Sequence, residues 1–192
     1  MITDFAFHSP SQIANFIFPY LVMSLMWEFH AVDVKENEGE HHGAAFWNVG
    51  AEYLPESYIE MMEDQYEVIN YGFIRTFICA NESCSFINEN KAAIEVILVE
   101  NKNIDDTFHI FVLINDYNLS FAIDFDKDDD VGFEGKPHGF IHVRKRDENN
   151  KSDEYQRVVD HYRSKLMNIC KPIIGSAFFF VKDENKSRPL QH

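Results

Sequence analysis

The first hydrophobic pattern along the chain is that of a helix near its start. Residues 9–12, Ser-Pro-Ser-Gln, have the form of a helix start, because the serine can cap, the proline fits the first turn and the glutamine can complete a capping box. The apolar run Ile13–Phe29 follows, and Pro19 predicts a kink or break within it. Polar residues interrupt this run, and it is shorter than the roughly 20 residues that a membrane span needs. We therefore predict a buried helix here.

Helical spacing of apolar residues predicts two further helices. From Pro55 to Tyr71 apolar residues recur every three or four positions, and Gly72 suits the left-handed residue that follows a helix end. A similar apolar stripe predicts a third helix over Asp153–Cys170. The charged, glycine-containing residues 33–43 are predicted to form a loop.

Short runs rich in β-branched and aromatic residues predict the strands. These runs are Phe73–Cys79, Ala93–Val99, Phe108–Ile114, Leu119–Phe125 and Gly139–Lys145. The last apolar run, Ile173–Val181, is predicted as a strand inside the sheet, and residues 183–192 as a frayed tail. The connection at 115–118 is short enough for a hairpin, so neighbouring strands should be antiparallel. The chain is therefore predicted to be one α+β domain over residues 1–192. It should have a mostly antiparallel sheet of five to six strands, with about three helices packed on it.

Charge adds a prediction about partners. The chain has 32 acidic residues against 17 lysines and arginines, which gives a formal net charge of −15. Acidic residues concentrate in 28–64 and 100–134, whereas 136–171 has a mild excess of bases. A negative field repels nucleic-acid phosphates and anionic lipid headgroups and attracts basic proteins. We therefore expect an acidic pole and a mildly basic pole, with no binding to nucleic acid or membranes, although charge that serves only solubility is an open alternative.

The segment 119–134 is the most informative stretch for function. Alternation along its strand places Leu119 and Phe121 on one face and Asp124 and Asp126 on the other, before an acidic loop. With a second acidic segment at 33–40, it supplies the predicted partner-binding residues, which are Glu36, Glu38, Glu40, Asp124, Asp126, Asp128, Asp129, Asp130 and Glu134. A solvated acidic loop and a calcium site are the alternatives, but no register of the loop matches the EF-hand spacing.

The histidines and the motif search do not predict catalysis. His138 and His142 fall in a predicted strand, where four residues span about 13 Å, too far for both side chains to share one ion. There is no nucleophile elbow, phosphate-binding loop or zinc-protease motif. We therefore predict no catalytic residue, no metal ligand and no cofactor.

The cysteines bear on the compartment. Cys79, Cys84 and Cys170 are an odd number in a chain with an ordinary core, so no disulfide framework is required. No lysine or arginine precedes Lys35, which disfavours a signal peptide. The sequence is therefore predicted to be that of a cytoplasmic protein.

Two stretches resemble the SUKH superfamily, whose members include many bacterial immunity proteins. Residues 54–58, Leu-Pro-Glu-Ser-Tyr, with the later Asn70-Tyr71-Gly72, resemble that family's Leu-Pro-x-x-Tyr helix and its closing turn. The Phe121–Asp126 strand and the Gly139–Val143 strand resemble its Asp-bearing strand and the strand that follows. The resemblance implies an α+β immunity fold and a toxin partner, often a nuclease.

Together these patterns predict an acidic protein inhibitor that binds and blocks a basic toxin such as a nuclease. In this interpretation the acidic segments 33–40 and 124–134 occupy a basic cleft as phosphate mimics. The alternative from another class is a metal-assisted hydrolase that uses the Asp124–Asp130 carboxylates.

Overall fold

The elements of the fold follow from a computed structural model of the protein, which describes residues 7–31, 40–56, 58, 62, 64–80, 83–86, 92–127, 137–174 and 178–180. In chain order they are α1 (Pro10–Ala31), β1 (Glu40–Asn48), β2 (Tyr66–Ala80), β3 (Ser83–Phe86), β4 (Ile94–Asn101), β5 (Phe108–Ile114), β6 (Leu119–Asp126), β7 (His138–Lys145), α2 (Asp153–Ile174) and β8 (Phe178–Phe180). Short 3-10 turns lie at Ala51–Tyr53 and Asn115–Tyr117.

The strands form one sheet in the order β1-β2-β4-β5-β6-β7-β8, and β3 pairs with the end of β2. All pairings are antiparallel except that of β7 with β8. The predicted α+β class and the mostly antiparallel sheet are confirmed. The described residues form eight strands and two helices, where five to six strands and about three helices were expected.

The helical face of the sheet, defined as the face against α1 and α2, holds the larger core. Buried residues recur every three or four positions along α1, as in Ile13, Ile17 and Leu21, and this face of the helix packs on the sheet. The predicted buried helix is therefore confirmed. The helix runs unbroken through Pro19, so the predicted break is wrong. Pro19 lies on the exposed side, where water can hydrate the carbonyl that has lost its N–H partner.

In the described part of the chain, no helix combines the length and apolar character required to cross a membrane.

The opposite face of the sheet is covered in part by described residues of the 49–65 connection, which joins β1 to β2. Its smaller buried cluster consists of Leu54, Met62, Tyr71, Ile97, Val99, Phe111 and Ala122. The buried carboxylates of the sheet lie on this face as well, so it is the face that bears on function.

Residues 55–71 do not form the predicted helix throughout. Helical backbone is found at residues 56, 58 and 62, but β2 begins at Tyr66 and alternates between half-buried and exposed side chains as far as Asn70. Gly72 pairs with Asn48 and Val96 inside the sheet, so it does not end a helix. The apolar residues at 59, 62, 66 and 69 suggested a helix, yet the aromatic and β-branched residues from Tyr66 onward suit a strand equally well.

The predicted ends of the sheet also need correction. Residues 40–43, expected in a loop, begin β1, which pairs along the second half of β2. α2 continues past Cys170 to Ile174, and β8 lies at the edge of the sheet beside β7, not inside it. Edge positions depend on long-range pairing, which local patterns do not encode. The predicted tail at 183–192 lies outside the described residues.

Cys79 and Cys84 form a disulfide across β2 and β3, where they are direct partners in the register. The sequence did not predict this disulfide, which forms because antiparallel pairing brings the two side chains together. The expectation that the fold requires no disulfide framework stays a prediction. Cys170 is a buried free thiol, and burial raises its pKa to about 12.

Candidate functional site

Asp124 and Asp126 lie on the opposite face, as the alternation of β6 predicts, but both are buried, at 8% and 6% exposure. Asp124 Oδ1 lies 2.6 Å from His109 Nδ1, and its Oδ2 lies 3.4 Å from His142 Nδ1. Asp126 Oδ1 lies 2.5 Å from His138 Nε2. The expectation that these two carboxylates are exposed was therefore wrong, because the chain's own histidines already hold them.

The register of the sheet explains these pairs. Asp124 is the direct partner of His109 across β5 and β6, and Asp126 is the direct partner of His138 across β6 and β7. His142 pairs with Ala122, so it reaches Asp124 along the diagonal. Side chains at direct and diagonal positions of an antiparallel pair lie within reach of each other. His109 was not singled out from the sequence, since its role depends on which strand lies beside β6.

A second polar cluster is centred on Glu95 of β4, which is 6% exposed. The hydroxyls of Tyr58 and Tyr71 each donate a hydrogen bond of 2.7 Å to its carboxylate. Asn115 Nδ2 donates a third, at 3.1 Å, and also bonds the carbonyl of Ala92. A buried carboxylate requires such donors, because it has lost its hydrating water. The sequence signal that could have revealed this site is the lone acid within the apolar run Ile94–Val99.

The same cluster changes the acidity of its tyrosines. Burial, and then the hydrogen bond to Glu95, raises the pKa of Tyr58 and that of Tyr71 above the ordinary value for tyrosine. Ionising either hydroxyl would place a second negative charge beside Glu95 in a poorly hydrated site. Both tyrosines therefore act as neutral hydrogen-bond donors at neutral pH.

A cavity of about 570 Å³ lies beside this cluster, between the 49–65 connection and the opposite face. Aromatic and aliphatic side chains form most of the described lining, whose charged residues are Arg144 and Lys145 of β7. The Arg144 guanidinium carbon lies 5.0 Å from the centre of the Phe111 ring and 5.9 Å from that of Tyr66. None of these lining residues was predicted from the sequence, since they come from three separate regions of the chain.

The described residues of the two predicted acidic segments, Glu40 and the pair Asp124 and Asp126, lie at opposite ends of the sheet. Glu40 begins β1 opposite Ala80, at the far end of the 15-residue strand β2. The Asp126 end of β6 lies at the other end of the sheet, next to the start of β5 and near the start of β2. The remaining predicted residues lie outside the described part of the chain; these are Glu36, Glu38, Asp128, Asp129, Asp130 and Glu134.

One end of the sheet nevertheless gathers acidic side chains from several elements. We define the acidic end as the place where β2 and β5 begin and β4 and β6 end. Its described acidic residues are Asp64, Glu67, Glu100, Asp105 and Asp106. Lys127 lies 3.2 Å from Asp106, and Lys102 also lies at this end. Asp64, Glu67 and Asp105 are exposed, so this end presents carboxylates to water.

The alternative of a metal-assisted hydrolase gains no supporting geometry. The described residues contain no group of three or more His, Cys, Asp or Glu side chains arranged to hold a metal ion. Asp124 and Asp126 already have imidazole partners. The hydrolase therefore stays a prediction that no observed contact favours.

Comparison with known proteins identifies no relative. The chain has no significant match to a protein-family model, to a curated protein or to a solved structure. The resemblance to the SUKH superfamily therefore stays a prediction. The turn expected at Asn70–Gly72 is part of β2, which departs from the pattern on which that resemblance rests.

Proposed function

We propose that the protein binds a basic protein partner through the acidic end of its sheet and inhibits that partner. The observation that carries the proposal is the gathering of five carboxylates, from the two stretches 64–67 and 100–106, at one sheet end. The connection between β6 and β7 also starts and finishes there, at Lys127 and Pro137, and its sequence includes Asp128, Asp129 and Asp130. This proposal retains the loop at 128–134 as part of the interface and leaves out the buried Asp124 and Asp126.

The electrostatics of that end favour a cationic partner. Like charges from neighbouring strands lie side by side, as in the direct pair of Glu67 with Glu100 across β2 and β4. Their mutual repulsion is relieved when a basic surface covers them, and the field steers such a surface toward this end. A nuclease that binds polyanionic nucleic acid presents a basic cleft, so a toxin nuclease is the class of partner that this chemistry fits best.

A charge-reversal experiment tests the proposal. The variant Asp64→Lys, Glu67→Lys and Asp105→Lys changes three exposed side chains with no hydrogen bond or ion pair found within the described residues. The immobilised wild-type protein should retain a basic protein from a lysate of the cells that carry the gene, and the variant should not. If the retained protein is a nuclease, an equimolar amount of wild-type protein should abolish its cleavage of nucleic acid.

The matched control reverses the same number of charges away from the acidic end. Three exposed residues serve for this control: Asp116 in the turn after β5, Glu148 between β7 and α2, and Glu154 in the first turn of α2. Their lysine variant should retain the basic partner, because its acidic end is intact. Equal loss in both variants would indicate a response to net charge alone and would contradict a localised site.

A further inference from the structure

We propose that the cavity on the opposite face binds a small organic carboxylate whose apolar body enters between the 49–65 connection and β5. The proposal does not depend on the basic partner, because the two cations of the cavity lie at the end of β7 and most of its described lining lies near the end of β5 and the start of β6, away from the acidic end. Tyr66, at the start of β2, is the lining residue that borders the acidic end. It rests on the shape of the cavity, the placement of its cations and the fixed positions of its polar walls.

The walls suit an apolar group of modest size. Phe111 and Leu113 form part of the floor on β5, and Tyr58, Met62 and Tyr66 come from the 49–65 connection and the start of β2. The volume of about 570 Å³ falls within the range of about 300–1,000 Å³ that is usual for small-molecule sites. A ring or short hydrocarbon chain would gain contact with aromatic side chains and release water from them.

The charged residues in the described part of the lining are both cationic. They are Arg144 and Lys145, and none of the described lining residues is acidic, although the protein has a net charge of −15. In the described regions neither side chain has a carboxylate partner. Arg144 is positioned by the rings of Phe111 and Tyr66, and a guanidinium on an aromatic face can still offer its planar N–H groups to a carboxylate. The part of the cavity near Arg144 and Lys145 therefore suits an anionic group better than a cationic or neutral one.

The polar side of the cavity is held in place before any ligand binds. Tyr58 and Asn115 line the cavity, and both donate to the buried Glu95. Asn115 also bonds the carbonyl of Ala92, which fixes its orientation further. Side chains that are already ordered lose little conformational entropy on binding, so the site is preorganised for a ligand.

Three probes with one apolar body and different charges test the proposal. They are 4-phenylbutyrate, 4-phenyl-1-butanol and 4-phenylbutylamine, each titrated into the full-length protein by calorimetry and by NMR. The carboxylate should bind about tenfold more tightly than the alcohol, because charge-assisted hydrogen bonds are stronger than neutral ones, and the amine should bind most weakly. Shifted resonances should include those of Phe111 and Leu113. No binding of 4-phenylbutyrate, or equal binding of the acid and the amine, would overturn the proposal.

Two matched variants distinguish binding in the cavity from an effect of the overall electrostatic field of the protein. In Arg144→Gln with Lys145→Gln the tenfold preference for the carboxylate should disappear, while the affinity for the alcohol should be unchanged. The control, Arg146→Gln with Lys151→Gln, removes two exposed cations that do not line the cavity. It should retain the preference. The proposal would be overturned if the first variant kept the preference for the carboxylate, or if both variants lost it equally. Unchanged affinity for the alcohol shows that each variant keeps its cavity.

Discussion

Buried carboxylates on the opposite face each have hydrogen-bonding or ionic partners that replace lost water. Glu95 accepts hydrogen bonds from two tyrosine hydroxyls and an amide, and Asp124 and Asp126 lie against imidazoles. Removing one member of a buried charged pair leaves the other poorly solvated, which costs more than the loss of an exposed pair. These residues therefore contribute to the stability of the sheet.

Replacing Asp126 tests that role directly. Asp126→Asn keeps the size of the side chain but removes the charge beside His138, which is fully buried. We expect the free energy of unfolding to fall by about 2 kcal/mol, because His138 would lose its carboxylate partner inside the sheet. Denaturant titration measures the change, with Asp105→Asn as the exposed control. If both variants unfold at the same denaturant concentration, Asp126 is not a structural partner of His138.

The tyrosines beside Glu95 predict a loss of stability at high pH. The pKa of each tyrosine is higher in the folded protein than in the unfolded chain, where it has the ordinary value of about 10. At a pH between the unfolded and the folded pKa, the unfolded chain therefore has fewer protons bound than the folded protein. Stability from these groups is complete below pH about 10 and declines as pH rises above it. The decline should be shallower in Tyr71→Phe, measured by chemical denaturation at several pH values. An identical pH profile for the variant and the wild-type protein would show that Tyr71 does not contribute.

Sequence reasoning located some of these residues but not their environment. The alternation of β6 predicted the face on which Asp124 and Asp126 lie, because side chains in a strand alternate by geometry. It did not predict their burial, which depends on the imidazoles of β5 and β7. Glu95 and Arg144 were missed for the same reason, since their neighbours come from distant parts of the chain.

At the scale of elements, local signals predicted α1 and β4–β7 well. The start of α1 has the predicted serine cap, in which Ser9 Oγ accepts from the Gln12 backbone N–H. The Gln12 side chain reaches back as expected, but it accepts from the backbone N–H of His8, one residue before the cap. The first half of β2 was mistaken for a helix because its apolar residues fit both periodicities. The remaining strands, β1, β3 and β8, pair at or near the edges of the sheet. The partner of such a strand cannot be predicted from a short segment of sequence.

The hairpin of β2 and β3 gives a prediction at this scale. Its disulfide closes a short loop, for which a chain-entropy model gives a stabilisation of about 2 kcal/mol. Reduction should therefore lower the free energy of unfolding by no more than this amount and leave the rest of the sheet folded. Hydrogen exchange should show faster exchange in β3 alone. Global unfolding on reduction would contradict the prediction.

At the scale of the whole molecule, the described residues show one local concentration of each charge. Carboxylates gather at the acidic end, and Arg144, Lys145 and Arg146 follow one another at the end of β7, although Asp147 and Glu148 come directly after them. The acidic and mildly basic poles expected from composition stay a prediction, since Glu40 lies apart from the acidic end and most of the two acidic segments lies outside the described residues. The proposed site for a basic protein and the proposed site for a small carboxylate are therefore built from different charged residues and border each other at Tyr66.

The most direct test of the proposed function is the salt dependence of the association rate with the basic partner retained by the wild-type protein. Steering by the acidic end predicts a rate that falls by about tenfold or more from low to high ionic strength. The variant Asp64→Lys, Glu67→Lys and Asp105→Lys should associate slowly, with little dependence on salt, while the Asp116, Glu148 and Glu154 control should follow the wild-type curve. A triple variant that associates as fast as the wild-type protein, with the same salt dependence, would contradict binding through the acidic end.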